Sequence, residues 1–192
     1  MKHYRQAGFR VTRRNRQNVR AMAVAVLDAI NARTGWSSAP FPISRVLELW
    51  SAESGPTVGD HPPNFDVMTA TELPHCDAEF LPHLNLILVT EAVWDAATSH
   101  DPAARWVLAH EVGHAVLRHH VAAGLYDDVS RVEPEKDSEH QANWFADELL
   151  MDLRLFNPTT TGTDALIEIF GVSELMAARR IRELILETRS GR

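Results

Sequence analysis

The sequence predicts an α+β fold, a small and mainly antiparallel sheet packed on a helical core that closes with a helical hairpin. Three observations predict it. Helix-period apolar stripes outnumber strand-like runs, the strand-like runs lie early in the chain, and caps and breakers stand where helices would begin and end. At 192 residues, 45% apolar and 23% charged, the chain has the size of about one domain and an ordinary globular composition. It is no disordered chain, coiled coil or collagen-like repeat.

The elements follow in order. Val19, Met22, Ala23, Val26, Leu27 and Ile30 recur at three- and four-residue spacing, which predicts a helix from about Arg13 to Arg33 that stops near Gly35. Pro40-Phe41-Pro42 is a connector, and Ile43, Val46, Leu47 and Trp50 mark a short helix. Residues 51–84 are rich in Gly, Pro and Asp, with strand-like pieces at Asn64–Ala70 and Pro56–Gly59. Asn85–Val89 is the best strand, followed by Thr90 as the cap of a helix over Glu91–Thr98. Asp101-Pro102 starts the strongest helix, since Asp accepts the free amides and Pro loses nothing at the first position. That helix is predicted to run to about His120. Another is predicted over Glu135–Met151. Asn157–Thr163 reads as a linker before two closing helices, Asp164–Phe170 and Glu174–Thr188. The predicted organisation is a basic arm and helix over 1–35, a core over 36–156, and a C-terminal hairpin over 157–192.

Charge and composition exclude several classes. The net charge is −7. Residues 1–20 hold seven basic side chains and no acid, so the remainder sums to −14, which argues against nucleic-acid binding by the body of the chain. The basic arm is expected to be a solvated, partly frayed terminus, with docking to an acidic partner or nucleic acid as the alternative. Basic residues ahead of AMAVAVL imitate a signal peptide, but the apolar stretch is short and Asp28 interrupts it. The longest apolar run, Ala21–Leu27, cannot span a bilayer. With one cysteine no intrachain disulfide forms. A cytoplasmic location is the expectation from these features.

Ten histidines direct attention to metal chemistry. His110-Glu111-Val112-Gly113-His114 is the H-E-x-x-H pattern on a predicted helix. Four residues at about 100° each bring the second imidazole to within about 40° of the first, one turn on, so both rings can hold one zinc. Glu111 lies on the rim of that face, where it can serve as general base toward water at the metal. A catalytic zinc needs a third protein ligand and an open position. His120 stands where a metzincin pattern puts its last histidine, but Leu117 replaces the glycine that would break the helix. Glu139 is the better candidate. Alone it is one acid in the run Glu133, Glu135, Asp137, Glu139; its helical phase with Ala142 and Ala146, small enough for close helix approach, sets it apart. Asn143, one turn later, can orient a ligand. His140 and Asp137 are fallback ligands.

The chain resembles the ImmA/IrrE family of zinc metallopeptidases. The resemblance rests on Arg105 through His114 (RWVLAHEVGH), on Glu139 through Met151 (EHQANWFADELLM), on the strand before the histidine helix, and on the Phe170–Ser173 turn with its following helix. It covers roughly residues 40–188. It departs at Asp152, where a proline is usual, and at Arg118, where a histidine is common and His119 comes one later. The resemblance implies a zincin-like core, His110, His114 and Glu139 as ligands of one Zn2+ per chain, and Glu111 as general base. It also implies an endopeptidase acting on a regulatory protein, an Xre-type helix-turn-helix repressor. The alternatives are a partner-binding or toxin-like module that keeps the metal fold, and a broad-specificity peptidase.

Other features carry weaker readings. Tyr126, His119 and His120 are unranked candidates for stabilising an oxyanion. Cys76 is either a buried cysteine or a thiolate that reaches the metal. Trp106, one turn before His110, lines a cleft or the core. The helix pair at 167–186 resembles a helix-turn-helix, but its arginines alternate with Glu174, Glu183 and Glu187, which favours packing or protein docking over DNA reading.

Overall fold

Local signals set most element boundaries. β1 is Phe9–Arg10, α1 is Arg16–Thr34, α2 is Ile43–Ser51, β2 is Asn64–Met68, β3 is Ala78–Leu81 and β4 is Leu86–Thr90. α3 is Glu91–Thr98, α4 is Pro102–Val116, β5 is Gly124–Leu125, α5 is Ser138–Leu150, α6 is Thr163–Phe170 and α7 is Glu174–Ser190. The computed structural model describes residues 9–51, 62–119, 124–125 and 132–190. The strand expected at Pro56–Gly59 lies outside the described residues. No helix among the described residues is long and apolar enough to cross a membrane.

The caps act as their chemistry requires. The Asn15 side chain accepts from the Asn18 amide, and Gly35, at φ 71°, closes α1 with its N–H on Asn31. Thr90 caps α3, and Asp101 caps α4 with Pro102 in the first turn. α1 begins three residues later than predicted. Val11 donates to the Lys136 carbonyl and Arg14 to the Glu135 carbonyl, so this segment is held extended alongside the turn before α5. α5 likewise begins at Ser138 and not Glu135, because Asp137 accepts the Glu139 and His140 amides and fixes the start there.

α4 ends four residues short of the predicted His120. Arg118 sits at φ 54°, the Arg118 amide bonds to Ala115, and the His119 amide bonds back to His114 at 3.1 Å. This is the Schellman closure with arginine where glycine is usual. The left-handed conformation costs a side-chain-bearing residue about 1–2 kcal/mol, and its effect is to fold His119 back over the last turn of α4.

The sheet has the order β2-β4-β3, with β2 parallel and β3 antiparallel to β4; β1 and β5 form a second, antiparallel pair. β3 was not expected, being four residues inside a run rich in turn formers. It lies between β4 and the histidine helix α4. One cluster of buried side chains runs through α1, α2, the sheet, α3, α4, α5 and α6 to Ala177 of α7.

The expectation that the basic arm is solvated holds for Arg10 and Arg13, which are exposed, and fails for Arg16 and Arg20. Arg16 and Arg20 reach the C-terminal end of α5. Arg16 Nε lies 3.0 Å from Glu148 and Arg20 Nε 2.8 Å from it, and the same arginines pair with Glu183 and Glu187 of α7. Arg180, fully buried, grips both Glu148 oxygens, and Arg179 pairs with Asp147 at 2.6 Å. Burial opposes the charge on Glu148, but Arg180 and Arg20 overcome it and hold the carboxyl at about 2. Arg179 and Arg180 of the helix-turn-helix-like pair are thus spent on internal acids.

Candidate metal centre

Two helices build the site. α4 presents His110 and His114 one turn apart, and α5 crosses it closely. A Cβ on Gly113 would meet Phe145 Cβ at 3.1 Å and the Ala142 backbone at 3.2 Å. Glycine on one helix and alanine on the other therefore set the approach, and the approach carries Glu139 to the histidines. His110 Nε2 and His114 Nε2 are 3.1 Å apart. Glu139 places Oε2 at 3.4 Å from His110 Nε2 and Oε1 at 3.4 Å from His114 Nε2. Among the described residues these three form the group able to hold a metal ion.

The donor set fits zinc. Ligand bonds of about 2.0–2.1 Å in a tetrahedron put neighbouring donor atoms about 3.4 Å apart, close to the triangle observed. Two imidazoles and one carboxylate are also one of the protein ligand sets that hold catalytic zinc. The far sides of both rings are engaged. His110 Nδ1 lies 3.0 Å from Asn143 Oδ1, and His114 Nδ1 lies 2.9 Å from His119 Nδ1. Such partners orient the ring and select its tautomer.

Charge is distributed unevenly. Burial acts against a charged His110, but Glu139, Glu111 and Asn143 outweigh it and raise its pKa. Burial, with His110 and His119 beside it, lowers His114 well below the imidazole range. Burial pushes the Glu111 carboxyl up to about 7; His110 restrains the rise and Glu139 adds to it. Glu111 Oε2 accepts the Phe80 backbone N–H at 2.8 Å, so β3 fixes this side chain from above the helix.

The remaining candidates divide. His119 is not open to a substrate as an oxyanion partner would be; it is buried between His114 and Gln141. His120 and Tyr126 lie outside the described residues. Asp137 and His140 stand at the start of α5 as cap and partner, 3.0 Å from each other, and not in the triangle. Cys76 is also outside it, its thiol pushed up to about 11 by burial and by Glu79, Glu111 and Asp77. Trp106 packs against His110 with ring centres 5.3 Å apart and donates Nε1 to Asp147. Gly113, Phe80 and Gln141 were not read as parts of the site, and His119 was read only as an oxyanion candidate. Of the three unread residues, only Gly113, inside the histidine motif, carried a signal that could have been used.

A family model described as the IrrE N-terminal-like domain of a peptidase family matches residues 93–182. These residues belong to the ImmA/IrrE family. The ImmA/IrrE segment runs from α3 into α7 and contains His110, Glu111, His114 and Glu139; α1, α2 and the three-stranded sheet precede it. No curated protein and no solved structure matches the chain.

Proposed function

We propose that the chain is a zinc-dependent endopeptidase of the cytoplasm that cuts a regulatory protein, with one zinc held by His110, His114 and Glu139. The observation that carries this reading is the triangle of donor atoms at 3.1, 3.4 and 3.4 Å. A bound zinc supplies Lewis-acid activation of water and of the scissile carbonyl. The protein supplies the rest. Asn143 holds the His110 ring by its Nδ1. The Phe80 amide holds one oxygen of Glu111, and the carboxylate takes the proton of the attacking water. It then passes that proton to the leaving amine nitrogen as the peptide C–N bond breaks. The Phe80 N–H points to Glu111 and not to β4. Ala78, two residues earlier, shares that edge of β3, which we read as the place where an extended peptide lies alongside.

We infer an Xre-type repressor as the substrate from the family resemblance of the sequence. Purified protein is expected to hold about one zinc per chain. Glu111→Gln is expected to keep the zinc and to lose cleavage of the repressor by about 100- to 10,000-fold. Cleavage unchanged by that substitution refutes Glu111 as the base. An unreactive wild type that still binds the repressor in the presence of zinc favours a partner-binding module, and cutting of casein-like chains without a dedicated partner favours a broad peptidase.

A further inference from the structure

We propose that His119 is a positioning residue of the metal centre, accepting the Nδ1 proton of His114 and so fixing the tautomer whose Nε2 lone pair faces His110 and Glu139. The proposal rests on the reading of His110, His114 and Glu139 as metal ligands.

Counting protons leads to it. Gln141 is fully buried, and its Nε2 donates to two carbonyls, Thr12 at 2.9 Å and Glu135 at 2.7 Å. Both amide hydrogens are thereby used, and the amide cannot flip without facing oxygen to oxygen. Its Oε1 is left as an acceptor, taking the Arg14 Nη1 donor at 3.3 Å and facing His119 Nε2 at 3.1 Å. His119 Nε2 must therefore carry the proton. A neutral imidazole has one N–H, so His119 Nδ1 is bare. That bare nitrogen lies 2.9 Å from His114 Nδ1, which must be the donor. His114 then has its lone pair on Nε2, the atom 3.1 Å from His110 Nε2 and 3.4 Å from Glu139 Oε1. The opposite tautomer would place a hydrogen where the metal binds.

The backbone is bent to make this contact. The left-handed Arg118 and the His119-to-His114 amide bond turn the chain back, so that the His119 ring meets the His114 ring edge-on at 4.9 Å between centres. Such a conformation on a residue with a side chain persists only where the surroundings enforce it. The polarity of the relay originates far away in sequence, since Thr12 lies on the segment that runs beside the turn before α5.

The test is nitrogen-15 NMR of the imidazoles in the full-length metal-free chain, together with zinc affinity by chelator competition. In the wild type, His114 is expected to show a protonated Nδ1 and a bare Nε2, and His119 the reverse. His119→Leu removes the acceptor and is expected to mix the His114 tautomers and to weaken zinc about 10- to 100-fold. His119→Asn puts Oδ1 where Nδ1 was and is expected to restore both. A wild-type His114 protonated at Nε2 overturns the proposal without any variant, even should His119→Leu fail to fold. So does a folded His119→Leu chain with unchanged tautomer and affinity. If the wild type takes up no zinc, the proposal falls together with the metal reading. That outcome is distinct from failure of His119 alone, in which the wild type still binds zinc.

Discussion

The first turns of α5 face His110 and His114, and its last turns face Arg16, Arg20, Arg179 and Arg180. Both ends carry buried polar groups, but they are balanced differently. At the far end, Asp147 and Glu148, with Glu183 and Glu187 from α7, meet four arginines in ion pairs of 2.5 to 3.9 Å. Four acids match four bases, so the formal charge at that end is balanced without a ligand. At the near end, two imidazole nitrogens and a carboxylate converge within 3.4 Å with their other sides already bonded. Donors gathered in that way could hold a metal ion between them. One helix therefore separates a cluster of ion pairs that holds the fold together from a cluster that we read as a binding site.

The contrast can be broken at either end. The largest effect is expected from Glu139→Ala, which removes one of the three proposed zinc ligands. Zinc affinity should fall ~100-fold or more, while the melting curve in chelator shifts by no more than about 1 kcal/mol, since Glu139 is partly exposed. Calorimetry of zinc binding and thermal melts check both halves. Arg180→Ala should do the reverse. Leaving Glu148 buried with one partner fewer is expected to cost about 3–5 kcal/mol in denaturant unfolding. The zinc stoichiometry of the fraction still folded should be unchanged. Equal losses of metal and stability in both variants would show that the two ends are not separate. A smaller effect sharpens the comparison. Gly113→Ala forces a methyl to within 3.1–3.2 Å of α5, and overpacking of this kind costs about 1–3 kcal/mol. Because it spreads the helices at the near end, zinc affinity should fall further than stability alone explains.

What was legible follows from how far each signal reaches. Thr90 and Asp101-Pro102 were readable as caps because a cap bonds an amide three residues away. His110 and His114 were readable because helical period alone brings them together. Glu139 was readable in part, since its phase with Ala142 and Ala146 marked the face that α5 turns to α4. The end of α4 was misread because Arg118 occupies a position where glycine would have announced the turn. β3 was missed because four residues in a turn-rich run give too short an alternation, although its Phe80 amide holds Glu111. The basic residues of the arm were taken as solvated because their acids lie more than 120 positions away in the chain.

The order of residues determined by itself the α+β class, the helix starts and the pair of histidines on one face, all consequences of contacts within a turn or two. Tertiary structure alone decided the distance between α4 and α5, the closure of the donor triangle by Glu139, and the proton relay from Thr12 through Gln141 and His119. Those depend on where separate segments meet, and that is fixed by the shared burial of their apolar faces and not by any local spacing.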